Sequence, residues 1–325
     1  MEPVLAALFV LFGLAFGSFL NVCIYRIPRA LEAAQEEGTE LSAWREMRQS
    51  LAAWRSVTEP ARSFCPQCGH GIRWYDNVPV VSWLVLGGRC RDCGGRISFR
   101  YTAVEALTGL LFLACYAGFG PTLEAVKYCL FTLLLVPLIF TDAEHKLLPD
   151  TYTVPGVLLG LAFSLAVPVN DVAPLLAGNG AAGAGWLSLA DAALGAAVGS
   201  GFLYGVGLLY RLARGQEGMG LGDVKLMAMV GAFVGARLAV LTIFAACILG
   251  LLFALAMLPC FWRSRVRLRM RRNRETAAVA RRRAWRSLQL MRFYAVPYGV
   301  FLGMAALLAV FFGAAIFHWY ITRYF

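Results

Sequence analysis

Apolar stretches long enough to cross a lipid bilayer recur along the whole chain and limit the folds open to it. The first runs from Val4 to about Tyr25, and others cover about 102–118, 123–141, 152–168 and 187–210. A helix needs roughly 17 to 25 apolar residues to span the hydrocarbon core, where backbone groups must satisfy one another. With 59% hydrophobic and only 15% charged residues, the chain exceeds what one soluble core can bury. We therefore expect an all-α polytopic membrane protein.

Arginine-rich loops beside these spans set the expected orientation in the membrane. Lys and Arg are enriched in short cytoplasmic loops. Residues 26–100 and the block 263–292, which holds twelve arginines and one glutamate, are therefore expected inside. The stretch 147–210 has no Lys or Arg, so its Gly-rich part, 169–186, is expected outside. The stretch 224–262 must then cross the membrane an even number of times.

We expect about eight transmembrane helices in total. Two short helices fit the stretch 224–262, with an outer turn near Gly235 to Arg237, and a final span covers about 294–320. The chain then divides into a first transmembrane helix at 1–25, a cytoplasmic module at 26–100 with a charged insertion at 31–62, a transmembrane core at 101–262, an arginine-rich loop at 263–292 and a last helix at 293–325.

The net charge of +11 raises the question of nucleic-acid binding. The arginine-rich block lies between two spans and lacks the signature of a nucleic-acid-binding fold. We expect it to contact anionic lipid at a bacterial inner membrane, with no nucleic-acid partner. A nucleic-acid arm is the less favoured alternative.

Four of the nine cysteines form two C-x2-C pairs separated by twenty-one residues. Each pair is followed by a glycine, Gly69 or Gly94. Two such turns can present four thiolates to Zn²⁺ in a tetrahedron, which leaves no position for a catalytic water. Two disulfides are the alternative, but a cytoplasmic loop is reducing, so we expect structural zinc. The four ligands are Cys65, Cys68, Cys90 and Cys93.

Two aspartates stand at the cytoplasmic ends of apolar runs. Asp142 follows one run, and Asp223 begins another in the motif Gly-Leu-Gly-Asp. Because an ionisable group near lipid is costly, such residues indicate function or pairing. Two carboxyl groups that share a water can hold one proton between them, which supplies an acid and a base for peptide hydrolysis. Gly220 and Gly222 remove side chains beside Asp223, so an extended peptide could approach it.

The same residues allow other readings. Asp223 can be a helix N-cap, and Asp142 can cap a helix or pair with Lys146. Asp150 is expected to cap the fourth span. Lys225 can lower the pKa of Asp223, bind a substrate carbonyl or extend its ammonium group to the membrane surface.

A transporter or channel component is the main alternative from another functional class, with Asp142 and Asp223 relaying protons. Against it, the sequence shows no second acidic or basic residue deep in the spans to continue a relay. A structural assembly protein without activity is a third alternative. Glu144 and Asp150 lie close enough in sequence to compete for the catalytic role.

The sequence resembles the type IV prepilin leader peptidase and N-methyltransferase family over nearly its whole length. The insertion at 31–62 and the loop at 263–292 depart from the usual pattern. The motifs that carry the resemblance are both cysteine pairs, GSFLNVCIYRIP at 17–28, PVVSWL at 79–84, RYTAVE at 100–105, DAEHKLLPD at 142–150 and GLGD at 220–223.

The resemblance implies two activities on one substrate. Members of the family cleave the basic leader of type IV prepilins and pseudopilins at the cytoplasmic membrane face. They then methylate the new N-terminus with S-adenosylmethionine. By resemblance, the protease aspartates are Asp142 and Asp223, and the zinc ligands are the four paired cysteines. The methyl-donor site is expected in the N-terminal half, with no residues assigned to it.

Overall fold

The computed structural model describes residues 2–36, 49–50, 52–59, 62–169, 185–216, 218–273, 276 and 297–324. Within these residues the backbone forms helices and turns, with two isolated β-bridges, Phe64–Gly71 and Arg89–Arg96. The expected all-α fold is therefore confirmed. Three regions singled out in the sequence lie partly outside the described residues: 31–62, 169–186 and 263–292.

The apolar runs form helices because in lipid each backbone N–H and C=O must bond within its own segment. Six helices in the described part are long and apolar enough to cross a membrane, and the helix Asp150–Ala166, with 17 residues, is apolar but shorter. The protein is thus a multi-pass membrane protein, while the total of eight spans stays a prediction. The helices are α1 (Pro3–Glu36), α2 (Arg55–Thr58), α3 (Val81–Val85), α4 (Phe99–Phe119), α5 (Leu123–His145), α6 (Asp150–Ala166), α7 (Gly185–Arg214), α8 (Leu221–Asn273) and α9 (Tyr298–Tyr324).

The first helix continues past Tyr25, where the predicted membrane span ends, to Glu36, with Pro28 inside. Charge marks the membrane boundary, but a helix does not have to stop there. Arg26 lies on the part of α1 that follows Tyr25, and its Nη1 donates a hydrogen bond to the carbonyl oxygen of Val57 at 2.9 Å. The inner end of α1 is therefore tied to the short helix α2.

Helix α8 is interrupted at Gly235, which has φ 83° and ψ 176°. This conformation is open to glycine and strained for other residues. The interruption separates a short first limb, 221–234, from a longer second limb, 236–273. It falls where the sequence predicted an outer turn between two short helices.

The core of the bundle lies between α5, α8 and α9. The rings of Phe131 and Phe233 stack with their centroids 4.7 Å apart, and Leu135 and Leu302 are fully buried beside them. Burial of this kind contributes roughly 25 cal/mol per Å² of apolar surface in water, and in lipid close packing takes over that role. The packed core brings the inner end of α5 and the first turn of α9 together.

Helices α7 and α8 approach so closely that their glycines face each other. A Cβ atom added to Gly195 would overlap the carbonyl oxygen of Gly231 and would lie 2.8 Å from the Cα of Gly235. Small residues at such a crossing let two backbones pack directly, which is a common basis of helix association in membranes.

We predict that Gly195→Ala destabilises the bundle by roughly 1 to 3 kcal/mol, because the added methyl forces the α7–α8 backbones apart. Gly201→Ala is the matched control, since Gly201 lies on the same helix with no atom near the added Cβ. Thermal unfolding in detergent should show a lower midpoint for the first variant and an unchanged or slightly higher one for the second. Equal midpoints would contradict the close crossing.

Candidate active site and cysteine centre

Asp142 lies in the last turn of α5 and is 5% exposed. Its Oδ2 accepts the backbone N–H of Val300 at 2.9 Å, in the first turn of α9. First-turn N–H groups have no acceptor within their own helix and carry partial positive charge. The first turn of α9 is therefore positioned by its hydrogen bond to this carboxyl group.

Gly299 makes room for that contact. A Cβ atom on Gly299 would lie 2.9 Å from Asp142 Oδ2 and 2.9 Å from Leu148 Cδ1. A larger residue would displace the carboxyl group or the loop that carries Leu148. Sequence reasoning missed Gly299 and Val300. The available signal was Pro297, directly before an apolar run and so at a helix start.

Asp223 is the third residue of α8 and is half-buried. Its N–H donates to the carbonyl oxygen of Gly220 at 3.2 Å, so it lies inside the first helical turn and the N-cap reading is wrong. Gly222, directly before Asp223, and Gly299, beside the Asp142 carboxyl group, both face the side chain of Leu148. Asp223 and Asp142 therefore lie next to the same loop, close enough for their charges to influence each other. The fold thus brings together the two carboxyl groups that the sequence singled out.

The glycines before Asp223 have different surroundings. A Cβ atom on Gly222 would lie 3.0 Å from Leu148 Cβ, so Gly222 allows the 146–149 loop to approach α8. At Gly220 the nearest atom to such a Cβ is the Gly222 nitrogen, at 3.9 Å. Gly220 therefore borders open space on the approach to Asp223.

Lys225 binds Asp150, with Nζ 2.6 Å from Oδ2. Asp150 is the first residue of α6 and makes no side-chain cap, so the prediction that it caps this helix is wrong. The pair joins the starts of α6 and α8. It holds the helix that carries Asp223 against the loop that follows Asp142.

The other acidic residue near Asp142 is engaged elsewhere. Glu144 forms an ion pair with Arg100 at the start of α4. His145 Nδ1 lies 2.8 Å from Glu32 Oε1 on α1. These contacts tie the end of α5 to α1 and α4, and they direct both side chains to partners other than the aspartates.

The expectation that the spans contain no further buried ionisable residue is wrong. Lys127 on α5 and Asp191 on α7 are each 1% exposed. Lys127 stands 15 residues before Asp142 on the same helix, which is about 22 Å at 1.5 Å per residue. Its ammonium group lies 5.3 Å from the centre of the Tyr128 ring. The signal for its burial, a lysine inside an apolar run, was present in the sequence.

We predict a measurable coupling between Lys225 and Asp150. Lys225→Met or Asp150→Asn alone leaves the other group without its partner, so the two effects on the free energy of unfolding should not add. A double-mutant cycle by thermal unfolding in detergent should give a coupling of roughly 0.5 to 3 kcal/mol. Lys225→Met combined with Glu124→Gln, at the far end of α5, is the control and should be additive. Additivity in the test cycle would show that the pair contributes nothing.

The four paired cysteines form one cluster. Their sulfur atoms all lie within 4.8 Å of one another, and the Sγ atoms of Cys65 and Cys93 are 3.9 Å apart. Four sulfurs at about 2.3 Å from a tetrahedral Zn²⁺ are separated by about 3.8 Å, whereas a disulfide needs about 2.05 Å. The cluster therefore fits a metal ion.

Two equivalent turns build this cluster. The N–H of Cys65 donates to the carbonyl oxygen of His70 at 2.9 Å, and that of Cys90 donates to Gly95 at 2.8 Å. Gly69 and Gly94 have positive φ, 73° and 68°, as the chain turns back at each pair. Both glycines therefore occupy the turns that the sequence predicted after each cysteine pair.

The cluster favours the ionised thiolate form of Cys65. Burial raises the pKa of this thiol, but hydrogen bonds from the backbone of Gln67 and Cys68 and from neighbouring thiols outweigh it and lower the pKa to about 7. A thiolate is the form that binds metal.

A cavity of about 410 Å³ lies between the inner part of α1, the cysteine turns and the start of α4. Glu105 lines it and accepts the backbone N–H of Val80 through Oε2 at 2.7 Å. Val80 has φ 62°, a strained conformation for a β-branched residue, which this bond holds in place. Asn21, Arg26 and Arg29 from α1 also line the cavity. Sequence reasoning assigned no role to these residues.

Two family profiles and several known proteins match the chain. The profile described as the type IV leader peptidase family matches residues 129–255, and that of the bacterial peptidase A24 N-terminal domain matches residues 11–119. A prepilin leader peptidase/N-methyltransferase of Aeromonas hydrophila is 32% identical over 332 residues, covering 98% of this chain and 94% of the relative.

The chain belongs to the type IV leader peptidase family. A protein of the same name from Dichelobacter nodosus is 37% identical over 252 residues, covering 75% of this chain and 80% of the relative. One from Myxococcus xanthus is 39% identical over 71% of this chain, but the match spans only 57% of that relative. No solved structure matches the chain significantly. The leader peptidase match covers Asp142 and Asp223, and the N-terminal match covers the four paired cysteines.

Proposed function

We propose that this protein cleaves the leader peptide of prepilins or pseudopilins at the cytoplasmic face of the bacterial inner membrane and methylates the new N-terminus. The observation that carries the peptidase proposal is the meeting of Asp142 and Asp223 at one end of the bundle. Family membership supports it, because the relatives are named prepilin leader peptidase/N-methyltransferase.

The two carboxyl groups supply an acid and a base. We assign Asp142 as the carboxylate, because the backbone N–H of Val300 stabilises a negative oxygen there. Asp223 then holds the shared proton, since two close carboxylates in a poorly hydrated site do not both ionise easily. Asp142 takes a proton from water as the water oxygen bonds to the scissile carbonyl carbon. Asp223 protonates the carbonyl oxygen, which gives a tetrahedral gem-diol. When the C–N bond breaks, Asp142 gives its proton to the departing amine nitrogen, and Asp223 takes a proton back from a hydroxyl group of the gem-diol as the new carboxyl group forms.

We predict that Asp142→Asn and Asp223→Asn each lower prepilin cleavage by roughly 100- to 10,000-fold, because the amide can neither accept nor donate the transferred proton. Glu144→Gln is the matched control: it lies two residues from Asp142 but pairs with Arg100, so cleavage should persist. The assay uses the purified protein in lipid with a full-length prepilin. Full cleavage by either asparagine variant would remove the two-aspartate mechanism.

The proton-relay alternative fits the structure less well. Lys127 and Asp191 are buried ionisable groups, but Lys127 lies about 22 Å along α5 from Asp142. A relay would need intermediate groups over that distance. Proton flux in vesicles containing the Asp142→Asn variant, compared with the unmodified protein, distinguishes the two functions.

The cysteine cluster is proposed to hold structural zinc. The spacing of its sulfurs fits a tetrahedral ion, and four thiolates leave no open position for water. The metal would therefore fix the two turns relative to each other and to the cavity between them and α1.

We further propose that the cavity beside the cluster holds S-adenosylmethionine, which supplies a methyl group when bound. Its volume of about 410 Å³ is that of a small-molecule site. Arg26 and Arg29 offer positive charge for the carboxylate of the methyl donor. Glu105, which is 9% exposed, offers an acceptor for its ammonium or ribose hydroxyl groups.

We predict that a Cys65→Ser, Cys90→Ser double variant loses bound zinc and S-adenosylmethionine binding but retains leader cleavage, because the cysteines border the cavity and not the aspartates. Cys260→Ser is the control, since its thiol is exposed on α8 and is not a member of the cluster. Zinc content by mass spectrometry, calorimetric binding of the methyl donor and prepilin cleavage are measured on each. Unchanged zinc content in the first variant would remove the metal site.

A further inference from the structure

The cytoplasmic module carries an apolar surface that is uncovered within the described part of the chain. Val81, Leu84 and Val85 lie three and four residues apart on α3, so they share one helix face. Trp74 and Val78 precede them. These five side chains, here called the α3 face, are between 41% and 82% exposed. Contiguous exposed apolar side chains mark a surface that meets another apolar medium.

The opposite side of α3 is anchored, so the direction of the α3 face is fixed. Trp83 Nε1 donates to the carbonyl oxygen of Ile97 at 3.2 Å. Its ring packs edge-on against Phe99, the first residue of α4, with centroids 5.5 Å apart. Phe99 is itself 63% exposed, so the α3 face continues into the outer surface of α4.

The position of α3 along α4 gives its depth. Val80, directly before α3, bonds through its N–H to Glu105, six residues inside α4 and so about 9 Å from its start. Helix α4 has 21 residues and rises about 32 Å, which matches a hydrocarbon core of about 30 Å. The start of α3 therefore lies beside the membrane-spanning part of α4, at the level of the cytoplasmic leaflet.

The residues at the borders of the α3 face have the chemistry of a membrane interface. Arg73 stands directly before Trp74, and Arg89 follows shortly after Val85, both exposed. Tryptophan and arginine are favoured at the headgroup level, where an aromatic ring and a cation meet lipid phosphates.

We infer that the α3 face inserts into the cytoplasmic leaflet of the bilayer, with anionic phospholipid as its partner. Val81, Leu84 and Val85 enter the acyl-chain boundary, while Trp74, Arg73 and Arg89 sit among the headgroups. The module is then held against the membrane along α4, and the cavity beside it opens close to the bilayer surface.

The test uses the full-length protein in liposomes of phosphatidylethanolamine and phosphatidylglycerol that contain a phospholipid with a diazirine in its acyl chain. After illumination, labelled residues are located by mass spectrometry. Residues 74–85 should be labelled at least roughly fivefold more than the cysteine turn 65–70, because only the former meet acyl chains. Residues 65–70 serve as the internal reference for the same module.

Two triple variants test whether labelling depends on the apolar character of the α3 face. Replacing Val81, Leu84 and Val85 by serine should reduce labelling of 74–85 to the level of 65–70, whereas replacing all three by isoleucine should preserve it. Unfolding temperatures measured in detergent test whether both variants fold. If the serine variant does not fold, labelling of the unmodified protein decides alone.

Equal labelling of 74–85 and 65–70 in the unmodified protein would overturn the inference. The other occupant of such a face is a protein substrate. If a prepilin bearing a photo-crosslinker is captured at 74–85 while lipid labelling stays at the reference level, the face is a substrate dock and the lipid assignment falls.

Discussion

The contact between the Asp142 carboxyl group and the first-turn N–H of Val300 connects the chemistry of this protein to its fold. It joins positions 158 residues apart, at the end of α5 and the start of α9. An acidic group at a helix N-terminus is favourable by roughly 0.3 to 2 kcal/mol, and a buried N–H without an acceptor costs about 1 to 3 kcal/mol. The same bond therefore holds the start of α9 in place and fixes the orientation of the Asp142 carboxyl group, which is proposed to be catalytic. Because α9 packs along α8, it also places the helix that carries Asp223.

The parts of the fold that could be predicted from the sequence are those with a local physical cause. Helical spans follow from apolar length, and the cysteine cluster follows from two C-x2-C turns, each closed by a glycine. The contacts around the aspartates could not be predicted in this way. Val300 takes part through its backbone, which has no residue signature, and the Lys225–Asp150 pair depends on how α6 and α8 meet. The continuation of α1 to Glu36 also could not be predicted from the apolar run, because charged residues end the apolar run but not the helix.

The cysteine cluster with its cavity and the two aspartates lie in different parts of the chain. The part up to α4 holds the cysteine cluster and most of the cavity lining, and Glu105 connects them to α4 through the strained backbone of Val80. The aspartates follow, Asp142 at the end of α5 and Asp223 in the first turn of α8. Between these two parts, Glu144 binds Arg100 and His145 binds Glu32, so residues beside Asp142 fasten the cavity-bearing helices to α5.

The depth of the aspartates reconciles burial with access to water. Asp142 is 19 residues from the start of α5, about 28 Å along the helix, so it stands near one face of a hydrocarbon core of about 30 Å. The first limb of α8, from 221 to 234, begins at the same end of the bundle and rises about 21 Å. Asp223 lies in its first turn and is half-buried. Hydrolysis consumes a water molecule, which a carboxyl pair at mid-membrane could not obtain from solvent. For the proposed hydrolysis, a pair at this boundary would have one side in a poorly hydrated medium, which favours a shared proton, and the other side accessible to water and to an extended peptide.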